Sequence, residues 1–143
     1  MPLPYDPNDS IPDQIKASFK KSLSNLKTSY LDSYILHSPM DDLETTLSAW
    51  EVLVDLQDQG KVHKIGVSNT YDVETLERLG MEREVQIVQN RWHEGNHWDP
   101  AVFRYCKRKG IEYQCVRLFN LFRCCLKYMG VGVFGLCPET LAF

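Results

Sequence analysis

Basic stripes, a leader-like stretch, internal repeats, low-complexity segments and phosphate-cradling glycine loops are all lacking in this sequence. The formal net charge is −3. With no basic surface to neutralise phosphates, nucleic acid is not an expected partner. No G-x-G-x-x-G follows a strand-like run. Gly130-Val131-Gly132-Val133-Phe134-Gly135 is glycine-rich, but its spacing is wrong and no strand–turn–helix pattern surrounds it. A Rossmann-type nucleotide fold therefore has weak support. The N-terminal Met-Pro-Leu-Pro-Tyr-Asp-Pro shows no basic region followed by an apolar run, so a cytoplasmic setting is expected. In that reducing setting the five cysteines read as thiols. The adjacent Cys124 and Cys125 have no zinc spacing. Residues 118–137 are apolar enough to raise a membrane span, but Arg123, Lys127 and three glycines argue against it, and no membrane partner is expected.

Acidic residues are also unevenly distributed. The last 29 residues hold one, Glu139, yet carry four of the five cysteines: Cys115, Cys124, Cys125 and Cys137. The other 18 acidic residues lie in the first 114. The chain reads as a patterned body, residues 1–114, and a different tail, residues 115–143. The tail shows no clear 3.6-residue period.

The body alternates helix and strand. Ser10 suits a helix cap, and Ile15, Phe19, Leu23 and Leu26 then recur at helical spacing, with lysines opposite. A strand over about Leu31–His37 ends before Pro39. The next helix is capped by Asp41 or Asp42. It carries Leu43, Leu47, Trp50, Val54 and Gln57 along one stripe, with Leu53 and Leu56 beside it, and closes at Gly60. A strand over Lys64–Asn69, a helix over about Val73–Leu79 stopping at Gly80, and a strand over Val85–Gln89 follow. Asp99 then caps a helix with Pro100 at its first position and Val102, Phe103 and Cys106 on one face, ending at Gly110. A fourth strand begins at Ile111. Strands that alternate with helices imply an α/β fold with parallel strands. The pattern alone leaves open a doubly wound sheet or part of an eight-stranded barrel.

Three strands end in polar residues: His37 and Ser38, then Ser68 and Asn69, then Gln89, Asn90 and Arg91. In parallel α/β folds the carboxyl ends of the strands face the ligand. An imidazole, a hydroxyl and two amides aimed into one mouth suit an amide-bearing ligand and a polarised carbonyl. They form no metal cage. Ser68 has no evident histidine partner, so hydrolase chemistry has weak support. Each set has a plainer reading. His37 can be a strand-end histidine bonded to backbone. Ser68–Asn69 can be the N-cap of the next helix. Gln89 and Asn90 can begin a solvated loop. The joint placement at one end of consecutive strands favours a site.

These residues also resemble a family. Tyr30-Leu31-Asp32-Ser33-Tyr34-Ile35-Leu36-His37-Ser38-Pro39 is similar to the aldo/keto reductase segment that leads into a catalytic histidine. Gly60-Lys61-Val62-His63-Lys64-Ile65-Gly66-Val67-Ser68-Asn69 resembles the next unit. Val88-Gln89-Asn90-Arg91 and Lys109-Gly110-Ile111-Glu112-Tyr113-Gln114 resemble the two after it. The likeness spans about residues 4–114 and is nearest to fungal or plant-like forms. It implies a partial (β/α)8 barrel of about four units. It also implies reduction of an aldehyde or ketone by hydride from NADPH. The family uses a Tyr as proton donor, a Lys paired with an Asp that makes the Tyr more acidic, and a His that orients or polarises the carbonyl. By position, His37 is that histidine, and Ser68, Asn69 and Gln89 hold the nicotinamide carboxamide.

The resemblance is incomplete. No residue matches the positions of the family's Tyr, Lys or Asp. Tyr5 and Tyr30 do not fit the first. Lys16, Lys20, Lys21 and Lys27 belong to a solvent-facing helix side. After Gln114, where the family continues with an aromatic that stacks on the nicotinamide, Cys115-Val116-Arg117-Leu118-Phe119 follows. Little or no activity is expected of such a fragment, and its open barrel edges could support self-association.

Overall fold

Capping side chains start three of the four helices. In the computed structural model, which describes residues 3–116, the Ser10 hydroxyl accepts from the Asp13 amide at 3.3 Å and α1 runs Ile11–Leu26. Asp42 and Asp72 open α2 (Leu43–Asp58) and α3 (Val73–Glu82). Each accepts a backbone N–H three residues on, from Thr45 and Thr75, at 2.7 Å. Such a cap satisfies one of the orphan donors at a helix start. The strands are β1 (Leu31–Leu36), β2 (Val62–Ser68), β3 (Ile87–Arg91) and β4 (Glu112–Val116). A 3-10 turn (Glu94–Asn96) and α4 (Pro100–Lys109) lie between the last two.

The four strands form one parallel sheet in the order β1-β2-β3-β4. Each strand therefore returns beside its predecessor by way of a helix, as the α/β reading of about four βα units requires. Leu36, Val67 and Val88 pair in register and join the core, together with Phe19 of α1, Trp50 and Leu53 of α2, Leu76 and Leu79 of α3, and Val102 of α4. Each large apolar side chain buried there contributes roughly 1.5–3 kcal/mol. The one polar atom of the fully buried Trp50 is satisfied, since its indole N–H donates to the Arg83 carbonyl at 3.3 Å.

Several boundaries and faces differ from the sequence reading. Leu26 and Leu43 are exposed, and the buried face of α2 is Thr46, Ala49, Trp50, Val52, Leu53 and Leu56. The stripe is rotated because the helix fits between α1, α3 and the sheet, so neighbours on two sides decide which apolar residues are covered. β2 starts at Val62 rather than Lys64. β3 covers Ile87–Arg91 rather than Val85–Gln89. α3 continues through Gly80 to Glu82, because helical geometry there is open to any residue and no αL turn is required. Asp99 does hold the N-cap position of α4, but it makes no capping bond; its side chain turns elsewhere. β4 extends through Val116, and the tail residues 117–143 lie outside the described residues.

Register between β2 and β3 rests on two contacts. Gln86, just before β3, donates its backbone N–H to the Ile65 carbonyl at 3.2 Å and accepts the Ile65 N–H on its side-chain oxygen at 2.9 Å. One step along, Gly66 faces Ile87 in register. A Cβ added to Gly66 would stand 2.8 Å from the Ile87 Cβ and would also meet the Ile87 carbonyl oxygen. Backbone does not yield as a flexible side chain does. Gly66→Ala is therefore expected to lower stability by about 1–3 kcal/mol, the range for overpacking a filled site. Urea denaturation checks this; an unchanged midpoint would show that β2 and β3 need no such close approach.

Candidate functional site

Side chains alternate across a strand, so the residues beside Leu36, Val67 and Val88 face away from the helices. Ser68, Gln89 and Gln114 are neighbours in register on that face, at the carboxyl ends of β2, β3 and β4. His37 follows directly after β1. The four residues singled out in the sequence are joined by hydrogen bonds. The Ser68 hydroxyl donates to the Gln89 carbonyl at 2.6 Å. The Asn69 backbone N–H donates to the same carbonyl at 3.2 Å. The Asn69 side-chain amide donates to the His37 carbonyl at 2.8 Å and lies 3.4 Å from the Ser68 oxygen. The Gln89 amide donates to the Gln114 side-chain oxygen at 3.0 Å.

The plainer readings fare unequally. Ser68–Asn69 is not a helix cap, since Asp72 caps α3. Gln89 and Asn90 do not begin a solvated loop; both lie within β3, and Asn90 is fully buried. His37 is bonded through its backbone carbonyl, while its exposed imidazole has no hydrogen-bond partner among the described residues. Of the polar residues at the end of β3, Gln89 and Arg91 share the face of Ser68. Asn90 points to the helix side, where period-two alternation sends it.

Asn69 adopts a φ of 52°. That left-handed conformation is uncommon for non-glycine residues, and asparagine is among those that tolerate it best. It turns the chain out of β2 so that the Asn69 amide reaches back across the end of β1. The Asn69 and Gln89 side-chain oxygens accept no hydrogen bond among the described residues. Two acceptors, an imidazole and a further amide N–H therefore stand at one strand-end corner. Such a set can receive a primary carboxamide and can donate to a carbonyl oxygen.

The sequence reading missed a polar ladder on this face. Gln114 donates to Glu112 at 2.9 Å, and Glu112 meets the Lys64 ammonium at 3.1 Å. The Gln114 hydrogen bond, followed by Lys64, holds the Glu112 carboxyl below its ordinary range despite partial burial. The period-two pattern Glu112, Gln114 in β4 carries that signal once the strand's pairing is known. At the other end of the sheet, Tyr30 stacks on His63 with ring centroids 5.0 Å apart, and Lys16, Lys20, Lys21 and Lys27 are exposed. None of these joins the strand-end cluster.

Nucleophilic cysteine chemistry has no support at Cys106. Cys106 is fully buried, and burial, then the nearby Asp99 charge, pushes its thiol up to about 12. A buried thiol of that kind is a poor nucleophile. No group of three or more His, Cys, Asp or Glu residues that could hold a metal ion occurs among the described residues. No helix among them is long and apolar enough to cross a membrane.

A sequence profile described as the aldo/keto reductase family matches residues 5–120. A glyoxal reductase of Bacillus subtilis (strain 168) is 35% identical over 99 residues, which are 68% of this chain and 35% of that protein. Among solved structures, an aldo/keto reductase from Brucella melitensis superposes with a TM-score of 0.68 at 27% identity, over 84% of this chain and 47% of that one. A Bombyx mori aldo-keto reductase in complex with NADP gives a TM-score of 0.65 at 27% identity, over 77% and 38%. The chain thus spans about a third of the length of the curated relatives it matches, 35% for the Bacillus protein.

Two buried phenols, the half-buried Tyr113 and the buried Cys106 thiol set an alkaline limit. Burial raises Tyr34, Tyr105 and Tyr113 above the ordinary phenol value, and the Asp99 hydrogen bond and charge add to it at Tyr113. A group whose folded pKa is raised contributes stability that is complete below its unfolded pKa and lost as pH rises through the folded value. The urea midpoint is therefore expected to fall between about pH 8 and about pH 11. Cys106→Ala should lose less over that interval. A flat profile in the native chain would contradict the burial of these groups.

Proposed function

The chain belongs to the aldo/keto reductase family, and from that premise we propose that His37, Ser68, Asn69 and Gln89 form the nicotinamide-and-carbonyl corner of an NADPH-dependent reductase site. The observation that carries this reading is the hydrogen-bonded union of three strand ends, through Asn69 to His37 and through Ser68 to Gln89. The residues fit the group: the Asn69 and Gln89 oxygens can accept from a carboxamide NH2, and the second Gln89 amide N–H can donate to its oxygen. Bound NADPH would supply hydride to the carbonyl carbon of an aldehyde or ketone. Ser68 acts by bonding the Gln89 backbone, so it holds the ends of β2 and β3 together beside the residues that would hold the nicotinamide. His37, exposed at the end of β1, would donate to the carbonyl oxygen and orient the substrate.

Within the 143 residues no position matches the family's proton-donating Tyr or its Lys–Asp pair. The polypeptide is therefore read as weakly active or inactive by itself, with weak NADPH affinity. Residues 1–114 are read as the barrel portion and 115–143 as an unassigned tail. A cytoplasmic setting accords with Cys106 standing free of any disulfide. Titration with NADPH under NMR observation tests the corner. The Asn69 and Gln89 side-chain amide signals should move at millimolar cofactor, and loss of this response in Asn69→Ala is expected. No movement of either signal would remove the assignment. Reduction of a reactive aromatic aldehyde should be slow or absent. Brisk turnover that vanishes in His37→Ala, or micromolar NADPH affinity, would overturn the reading of weak activity.

A second reading is a non-catalytic module that self-associates. It is favoured by one observation: among the described residues β1 and β4 each pair on one side only. Unpaired strand edges recruit further strands. Light scattering across a concentration series should show a dimer or larger species; a monomer at every concentration would exclude this reading.

A further inference from the structure

A second polar network lies on the opposite face of the sheet, beneath the turn that carries Asn69. Asn90, fully buried, grips Thr70 with both ends of its amide. Its oxygen accepts the Thr70 N–H at 3.0 Å, and its nitrogen donates to the Thr70 carbonyl at 2.6 Å. The side chain thus does for Thr70 what a neighbouring strand's peptide group would do. The remaining Asn90 N–H goes to the Asp99 carboxylate at 2.8 Å. That same carboxylate oxygen accepts the Tyr113 hydroxyl at 2.7 Å. Asp99 and Thr70 are also buried, at 5% and 1% exposure. A buried carboxylate is tolerated only where hydrogen bonds surround it, and this one has given up its capping role to make them. The chain reaches it through three consecutive left-handed residues, His97, Trp98 and Asp99, at φ 50°, 65° and 45°. Such a run is unfavourable for L-residues and persists only where surrounding contacts hold it.

The turn between β2 and α3 is therefore held from both faces. On one face, Ser68 and the Asn69 N–H bond the Gln89 carbonyl. On the other, Asn90 holds Thr70, whose hydroxyl bonds the Ser68 carbonyl at 3.2 Å. Asn69 lies between these two anchors, in the left-handed conformation that sends its amide to His37. We propose that Asn90 is a positioning residue for Asn69, itself kept in place by Asp99 from the start of α4 and by Tyr113 from β4. The inference deepens the assignment above, since Asn69 matters there as a nicotinamide contact. The conformation of Asn69 can nevertheless be read without any cofactor.

The test is NMR of the full 143-residue chain, comparing wild type with Asn90→Ala, Tyr113→Phe and Phe19→Leu. The Asn69 13Cα and 13Cβ shifts report its backbone conformation, and its side-chain amide reports the bond to His37. Phe19 lies in the core on α1, so Phe19→Leu loosens the protein without touching this network. In Asn90→Ala the Asn69 carbon shifts should leave the left-handed range. Its side-chain amide should move, and the Thr70 amide should exchange about tenfold faster, as befits loss of a buried hydrogen bond. Tyr113→Phe removes only a hydroxyl and should move the same signals part of the way. Phe19→Leu should leave them in place. Unmoved Asn69 signals in a folded Asn90→Ala chain overturn the proposal. If that variant does not fold, unmoved signals in Tyr113→Phe overturn it. Equal movement in Phe19→Leu overturns it as well, because the effect would then be general loosening. The NADPH response is scored separately: its absence in wild type counts against the nicotinamide assignment and leaves the relay standing.

Discussion

The pairing of β2 with β3 in a single register governs where every strand-end side chain points. A slip by one residue would exchange the two faces of a strand. It would bury Ser68 or Gln89 against the helices and turn Val67 or Val88 away from them. The close approach of Gly66 to Ile87 and the double attachment of Gln86 to Ile65 prevent this slip. Both lie at the start of β3, ahead of the polar residues. The site is assembled at the end of strands whose alignment has already been set by contacts that take no part in it.

Two polar networks follow from that alignment. One, running from Lys64 through Glu112 and Gln114 to Gln89, lies on the face away from the helices and is partly solvated. The other, on the helix side, joins the buried Asn90 and Asp99 to the half-buried Tyr113. Their adjacent origins, Gln89 and Asn90, show how alternation divides one dipeptide between the two faces of the sheet. The low dielectric of the interior makes the second network strong when all its members are bonded and costly when one is lost. Asp99 illustrates the balance: an aspartate at a helix start ordinarily caps it, and here the capping bond is given up to satisfy a buried amide and phenol.

Much of this architecture was legible in the sequence. Ser10 and the Asp41-Asp42 pair announce helix starts by chemistry that acts within three residues, whereas the cap of α3 is Asp72 and not Ser68–Asn69. Gly60 and Gly110 mark two of the ends, with φ of 68° and 73°. The motif around Ile65-Gly66-Val67-Ser68-Asn69 pointed to the family, and the family profile extends over residues 5–120. The candidate residues His37, Ser68, Asn69 and Gln89 were chosen because three strands end in polar side chains, and the structure joins those ends by hydrogen bonds. What failed was of a different kind. Gly80 suggests a stop although nothing at that point ends α3, and the apolar stripe of α2 lies elsewhere than the sequence suggests, because a list of apolar residues does not say which neighbours cover them.

Taken alone, the sequence determined the order and type of the elements, the parallel α/β class and the set of polar strand ends, because caps, turns and periodicity are local. It also determined the family resemblance, which rests on contiguous motifs. Only the tertiary structure decided that Asn90 faces away from Gln89, that Asp99 serves Asn90 and Tyr113 rather than its own helix, and that Asn69 spans from β2 to His37. Those outcomes depend on strand register and on hydrogen bonds between residues 9 to 32 positions apart. No local pattern specifies such pairings; burial does, by leaving each polar group only the partners that the packed sheet brings within reach.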